Sequence, residues 1–244
     1  MRILVTAGNT LTPIDRIRCI TNLFTGKTGA QIALEAHRLG NSVTLVTSHP
    51  DVVRDLVPGH APAAGTWAVR PYRTFDDLRN AMAEMVPGNR FDVLIHAAAI
   101  SDFELAGVYV PAAGTTFDPD HLQWNGNAMA DAAAGKVKSS HRELWMRLTP
   151  TPKLADSVRS PWGFTGTFVK FKLEVGATDA ELLQIASKSR VQSDADLIVA
   201  NTLEGKDTVA FIGDRADGFE RVERAALAGR LLERIRETAS GSSQ

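Results

Sequence analysis

The chain has 244 residues, 27 basic and 28 acidic side chains, and a net charge of −1. That length accommodates one large domain, and the even charge balance argues against nucleic acid or an anionic membrane as the main partner. A single cysteine, Cys19, excludes an internal disulfide and suits a reducing, cytoplasmic setting.

In chain order, RILVTA (2–7) is a short apolar run closed by a glycine turn, which predicts a buried strand. The opening MRILVTAGNT turns polar too soon for a signal peptide. A helix is expected near 27–39, with Gly40 past its end, followed by strands at 42–48 and 66–72. Thr74 to Asp77 resembles a capping box and predicts a helix to about Val86. DVLIHAAA (92–99) reads as a further buried strand, and its apolar stretch is too short to cross a bilayer. Residues 103–135 read as irregular, with a short alanine-rich helical piece. Strands are expected at 143–149, 167–173, 195–201 and 208–213. Thr178 and Glu181 form a capping box for a helix to about Ser189, and a last helix is expected from Glu220 to Glu237. Alternating strands and helices predict a doubly wound, Rossmann-like α/β fold with a mostly parallel sheet and a strand-rich flap in the second half. Residues 1–238 read as one domain and 239–244 as a disordered tail.

Gly26-Lys27-Thr28 is how a phosphate-binding P-loop ends, but the glycine required five positions before Gly26 is Thr21. The dinucleotide fingerprint fails as well, since only Gly26-x-x-Gly29 is present. What remains is a glycine-bearing turn that opens a helix, where free amides and the positive dipole end suit an anion. In doubly wound sheets, ligands bind beyond the carboxyl ends of the strands. The residues after three of the strands are small and polar: Gly8-Asn9-Thr10, Ser101-Asp102 and Asn201-Thr202.

Other chemistries lack their signatures. Neither Tyr72 nor Tyr109 is followed by the lysine of a short-chain NAD(P)-dependent reductase, and the second strand closes on Thr47-Ser48-His49 without a carboxylate. The six histidines show no metal-ligand spacing. No G-x-S-x-G elbow is present. His96, inside an apolar strand, reads as a core histidine.

Several stretches match one family in order. VTAGNT, with NLFTGKTG, resembles the opening of phosphopantothenate–cysteine ligases (phosphopantothenoylcysteine synthetases), and so do AAAISDF (97–103), GKVKSS (135–140), TPKLADSV (151–158), KFKLEVG (170–176) and DLIVANTLEG (196–205). The chain resembles the monofunctional form, without a fused flavin-dependent decarboxylase domain. The resemblance implies amide formation between phosphopantothenate and cysteine in coenzyme A biosynthesis, through an acyl-nucleotidyl intermediate. It implies CTP or ATP as co-substrate, Mg²⁺ carried by the triphosphate, no metal held by the protein, and a homodimer. By the same resemblance, Gly8, Thr25, Gly26 and Gly29 cradle the nucleotide, and Asn22 holds the acyl carbonyl. Lys136 meets the triphosphate. Ala98, Ala99 and Asp102 lie where nucleotide and substrate join, and Phe171 and Asn201 belong to the nucleotide pocket. Arg18 reaches substrate from the other subunit. The departures are Asn9 for a loop glycine, Phe24 for a hydroxyl residue, Lys170 for a small residue, and Val175 for a threonine. They leave room for a paralogue that acts on another carboxylate, or that binds a nucleotide or pantetheine-like ligand without turnover.

Overall fold

The computed structural model describes residues 1–58, 62–63, 65–216 and 218–241. In chain order the elements are β1 (Arg2–Ala7), β2 (Leu11–Pro13), β3 (Cys19–Thr21), α1 (Lys27–Arg38), β4 (Ser42–Thr47), α2 (Asp51–Leu56), β5 (Trp67–Pro71), α3 (Phe75–Met85) and β6 (Val93–His96). Then come β7 (Phe103–Pro111), β8 (Thr116–Asp118), β9 (Gln123–Asn125), β10 (Met129–Asp131), β11 (Trp145–Pro150) and α4 (Leu154–Ser157). The chain continues through β12 (Thr167–Glu174), α5 (Asp179–Gln192), β13 (Leu197–Thr202), β14 (Val209–Gly213), β15 (Phe219–Glu223), a 3-10 turn (Arg224–Ala226) and α6 (Leu227–Gly241).

Among the described residues the main sheet has eight strands in the order β15-β14-β13-β12-β6-β1-β4-β5. Pairing is parallel from β5 to β13, and antiparallel between β13, β14 and β15. This is the expected doubly wound α/β fold. The chain leaves β1 toward β4 and β5, then returns to the other side of β1 at β6. The strand order therefore switches between β1 and β6, which places a crevice at their carboxyl ends.

Period-two alternation separates the two faces of the sheet. Ile3, Val5, Val169, Leu197 and Val199 face α1, α2 and α6. Leu4, Leu94 and Phe168 face α3 and α4, while Ile198 and Ala200 pack on α5. Helix α1 buries Gly29, Ala30, Ile32, Ala33 and Ala36, a stripe at helical spacing. Burying a side chain the size of Ile32 contributes about 1.5–3 kcal/mol. Both capping boxes form: Thr74 with Asp77 opens α3, and Thr178 with Glu181 opens α5.

The segment 103–135 departs from its expected irregular and part-helical form. It is strand-rich, and part of its alanine-rich piece, Met129–Asp131, is β10, paired antiparallel with β7. Pairing outweighs the helix propensity of alanine, which is only a weak prior. Strands β7, β10 and β11 form a three-stranded flap, and β8 and β9 a hairpin beside it. Phe117, Trp124 and Trp145 tie hairpin to flap, with ring centroids 4.5–5.1 Å apart. Residues 220–223, expected as helix, are strand instead: β15 pairs with β14 and buries Val222. The buried strand at 92–99 ends at His96, although Ala97 and Ala99 still donate to Thr6 O and Gly8 O across from β1. Helix α6 runs through Gly241, into the expected tail, whose residues 242–244 lie outside the described residues. No described helix is long and apolar enough to cross a membrane.

Candidate functional site

A cleft of ≈ 560 Å³ lies where the strand order switches. Its floor is the carboxyl end of four strands: Gly8 after β1, Ala97–Ala99 after β6, Phe171–Leu173 on β12 and Asn201 on β13. Its wall is the turn Leu23–Gly26 and the first turn of α1.

Three glycines let that wall approach. Gly26 is the N-cap of α1 at φ 79°, and a Cβ there would collide with the backbone nitrogen of Gly8. Gly8 itself has φ 90°, and a Cβ on it would strike Ser48 Oγ. A Cβ on Gly29 would sit 2.6 Å from Ala7 Cβ. These glycines press the helix end onto β1, which is the use of the GKTG stretch in a chain without a P-loop. No side chain caps α1 and no acidic residue occupies its first turn. The amides of Lys27, Thr28 and Gly29 thus have no intrahelical partner, and the dipole end is uncompensated.

Asn9 turns away from the cleft. Its amide nitrogen donates to Thr21 Oγ1 at 2.9 Å and to Asn22 O at 2.5 Å, and its backbone N–H donates to Ser48 Oγ at 2.9 Å. It thereby fixes the 21–22 loop, and Asn22 Nδ2 donates in turn to Ala99 O at 3.1 Å. Asn201 is 8% exposed, lines the cleft, and has no side-chain hydrogen bond among the described residues.

Of the residues singled out in the sequence, the cleft brings together Gly8, Thr25, Gly26 and Gly29 with Ala98, Ala99, Phe171 and Asn201. Asn22 stands at its edge through the bond to Ala99. Three others lie outside it. Asp102 is exposed, and its carbonyl accepts from the Thr151 amide at 2.9 Å. Lys136 is exposed in a segment clamped to the turn between β2 and β3: Gly135 O accepts from Arg16 N, and Val137 N donates to Asp15 Oδ2. Arg18 belongs to the same clamp, donating to Asp15 Oδ2 at 2.6 Å and to Val137 O at 2.7 Å. The Arg18 guanidinium and the Ile17 amide hold the Asp15 carboxyl far below the usual carboxylate range.

The departures sort by position. Phe24 lines the cleft. Lys170 points to the opposite face of the sheet, where its Nζ donates to Ser193 Oγ at 2.6 Å and Ser189 O at 2.9 Å. Val175 is exposed past the end of β12. His96 is a satisfied core histidine, its Nδ1 2.7 Å from Thr6 Oγ1. Burial, and then the charge of Lys170, push its pKa down to about 4.

Sequence reasoning missed the cleft's cations. Lys27, Lys172, Lys206 and Arg224 all line it, against one acid, Asp207. Lys172 is paired with Glu174 at 2.8 Å. The available signal was the pair of strands at the carboxyl end of the chain, whose antiparallel return delivers 206–207 and 224 to the cleft. Among the described residues no cluster of three or more histidine, cysteine, aspartate or glutamate side chains is arranged to hold a metal ion.

The chain resembles known proteins in sequence and in fold. Residues 1–110 match the family "DNA/pantothenate metabolism flavoprotein C-terminal domain". The coenzyme A biosynthesis bifunctional protein CoaBC of Thermococcus kodakarensis is 32% identical over 243 residues, covering 96% of this chain and 50% of that protein. The chain spans about half the length of the curated relatives it matches. The structure of the DNA/pantothenate metabolism flavoprotein from Streptococcus pneumoniae superposes with a TM-score of 0.77 at 28% identity, covering 98% of this chain and 99% of that one. A Cab2 mutant in complex with phosphopantothenate-cysteine shares the fold, with a TM-score of 0.72 at 17% identity over 100% of this chain and 89% of that one. The chain is thus a homologue of the C-terminal domain of CoaBC.

Proposed function

We propose that the chain is a ligase that joins phosphopantothenate to the amine of cysteine, with CTP or ATP as co-substrate. One observation carries this reading. The uncompensated first turn of α1 stands across a ≈ 560 Å³ cleft from the unpartnered amide of Asn201, at the switch point of a doubly wound sheet. That arrangement suits an anionic ligand with a polar base or sugar. The relatives support the choice of substrate, since CoaBC is named for coenzyme A biosynthesis and the Cab2 complex contains phosphopantothenate-cysteine.

The chemistry runs in two steps. A carboxylate oxygen attacks the α-phosphorus, the bond to the β-phosphate oxygen breaks, and pyrophosphate leaves. The amine of cysteine then attacks the acyl carbon, the bond to the nucleotide oxygen breaks, and nucleoside monophosphate leaves as the amine proton passes to solvent. Charge builds first on phosphates and then on an acyl oxygen, so fixed donors serve both steps. The α1 amides face the first, and Mg²⁺ arrives with the triphosphate. Asn22 has a second N–H beyond the one given to Ala99 O, and this N–H would donate to the acyl oxygen.

Incubating the protein with phosphopantothenate, cysteine, magnesium and each nucleoside triphosphate, and following pyrophosphate release, tests the reading. Amide product with one nucleotide is expected. Asn22→Asp should be worse than Asn22→Ala, because a carboxylate would face both Ala99 O and the phosphates. No release with any nucleotide sinks the ligase reading. It would favour a diverged paralogue, a possibility raised by Phe24 inside the cleft and Lys136 outside it.

A further inference from the structure

Helix α1 meets the far end of the chain at Arg224, whose Nη2 donates to Thr28 Oγ1 across 196 residues of sequence. The antiparallel pair β14–β15 makes this meeting possible: β14 begins, and β15 ends, beside the carboxyl end of β13. The Arg224 amide donates to Thr208 O at 2.9 Å, which fixes where the side chain starts. The preceding turn is equally held, with Gly205 N donating to Thr202 Oγ1 at 3.0 Å and Val209 N to Gly205 O at 3.0 Å. Arg224 lines the cleft and also a second groove of ≈ 1130 Å³ between α1 and α6, so it stands where the two cavities join.

The charges at this end are unbalanced. Arg224 is half-buried and makes no ion pair among the described residues. Among the described residues Lys206 pairs with Asp207 alone, at 3.7 Å, and Lys27 is exposed at the mouth of the cleft. Three cations thus face one carboxylate. A single phosphate group is compact and reaches few of these cations at once, whereas a chain of phosphates can extend along them. Asn201 in the same cleft is a buried residue whose side chain makes no hydrogen bond among the described residues, so its amide is open to a bound ligand.

We propose that Arg224, assisted by Lys206, is the group with which this cleft selects a polyphosphate over a monophosphate, a part that the sequence resemblance gives to Lys136. The inference rests on the nucleotide reading of the cleft and names the residue that grips the phosphates. A planar guanidinium fork against the first turn of α1 presents donors beside the free amides of that turn.

Binding of nucleoside mono-, di- and triphosphates, and of inorganic tripolyphosphate, measured by calorimetry on the full chain with magnesium, tests it. In the wild type the triphosphate should bind more tightly than the monophosphate. Arg224→Gln should weaken triphosphate binding about tenfold or more while changing monophosphate binding little, the scale expected for charged hydrogen bonds. Arg224→Lys should recover part of the loss, and Lys136→Gln should leave the ratio intact. If Arg224→Gln unfolds, Lys206→Gln, in an accessible turn, reads the same ratio. A triphosphate-to-monophosphate ratio unmoved by Arg224→Gln overturns the proposal while leaving the ligase reading in place. Arg224-dependent binding of tripolyphosphate without binding of any nucleotide upholds it and overturns the ligase reading. Binding of neither probe overturns both.

Discussion

Lys170 is a charged side chain placed in a core, 8% exposed and on the face of the sheet opposite the cleft. Its ammonium is satisfied by Ser193 Oγ and Ser189 O, and Ser193 Oγ donates onward to Asp156 Oδ1 at 2.5 Å. Burial pushes its pKa down from 10.5 to about 8, against the opposing pull of Asp156. The unfolded chain therefore holds this proton more tightly than the folded one. Stability should rise with pH between about 8 and 10.5, as the folded lysine sheds its proton first, and that gain should be lost as pH falls through 8. Lys170→Met should remove this dependence. Urea midpoints of the wild type and the variant, compared across that window, check it: a constant difference means that the lysine does not titrate there.

The junction of β1 and α1 is the element on which the site depends. Gly8, Gly26 and Gly29 stand where side chains would force the helix end away from the strand. Gly26→Ala adds a methyl group against Gly8 and imposes a left-handed conformation on an alanine, at a cost of about 1–3 kcal/mol. Because the same shift moves the amides that face the cleft, nucleotide affinity should fall along with stability. Gly40→Ala provides the control: it carries a similar positive φ of 82° with open space around the position, so it should lose stability alone. Chemical denaturation and nucleotide titration of both variants separate these outcomes. Equal loss of affinity in the two would mean that α1's first turn does not contact ligand.

At the scale of the whole molecule, the flap leaves Phe103, Met129, Met146 and Leu148 exposed. A homodimer with a composite site, as the family resemblance implies, would put such surface to use. Within one chain Arg18 is committed to Asp15 and Val137 and does not line the cleft. If Arg18 serves a neighbouring subunit's site, inactive Arg18→Ala and Asn22→Ala proteins should regain part of the activity when mixed, and each should sediment as a dimer. An active monomer, or no recovery on mixing, limits Arg18 to holding its own hairpin.

Much of this molecule was legible one segment at a time. Period-two and helical spacing marked the parallel core, Thr74 and Thr178 announced their helices, and the glycines of 26–29 announced a turn against a helix end, because each of these depends on neighbours a few residues away. The motifs also led to the floor of the cleft at Gly8, Ala98, Ala99, Phe171 and Asn201. The alanine-rich β10 and the Glu220–Glu223 strand read wrongly, since pairing with distant β7 and β14 outweighed local preference. The direction of Lys170 was settled by the pleat of β12, and the distance of Lys136 from the cleft by the clamp between 135–137 and the β2–β3 turn. Arg224 had no local signature at all. Its place beside Thr28 follows from two strands that reverse direction at the edge of the sheet, and only the closed tertiary structure brings residues 196 positions apart to one wall of the cleft.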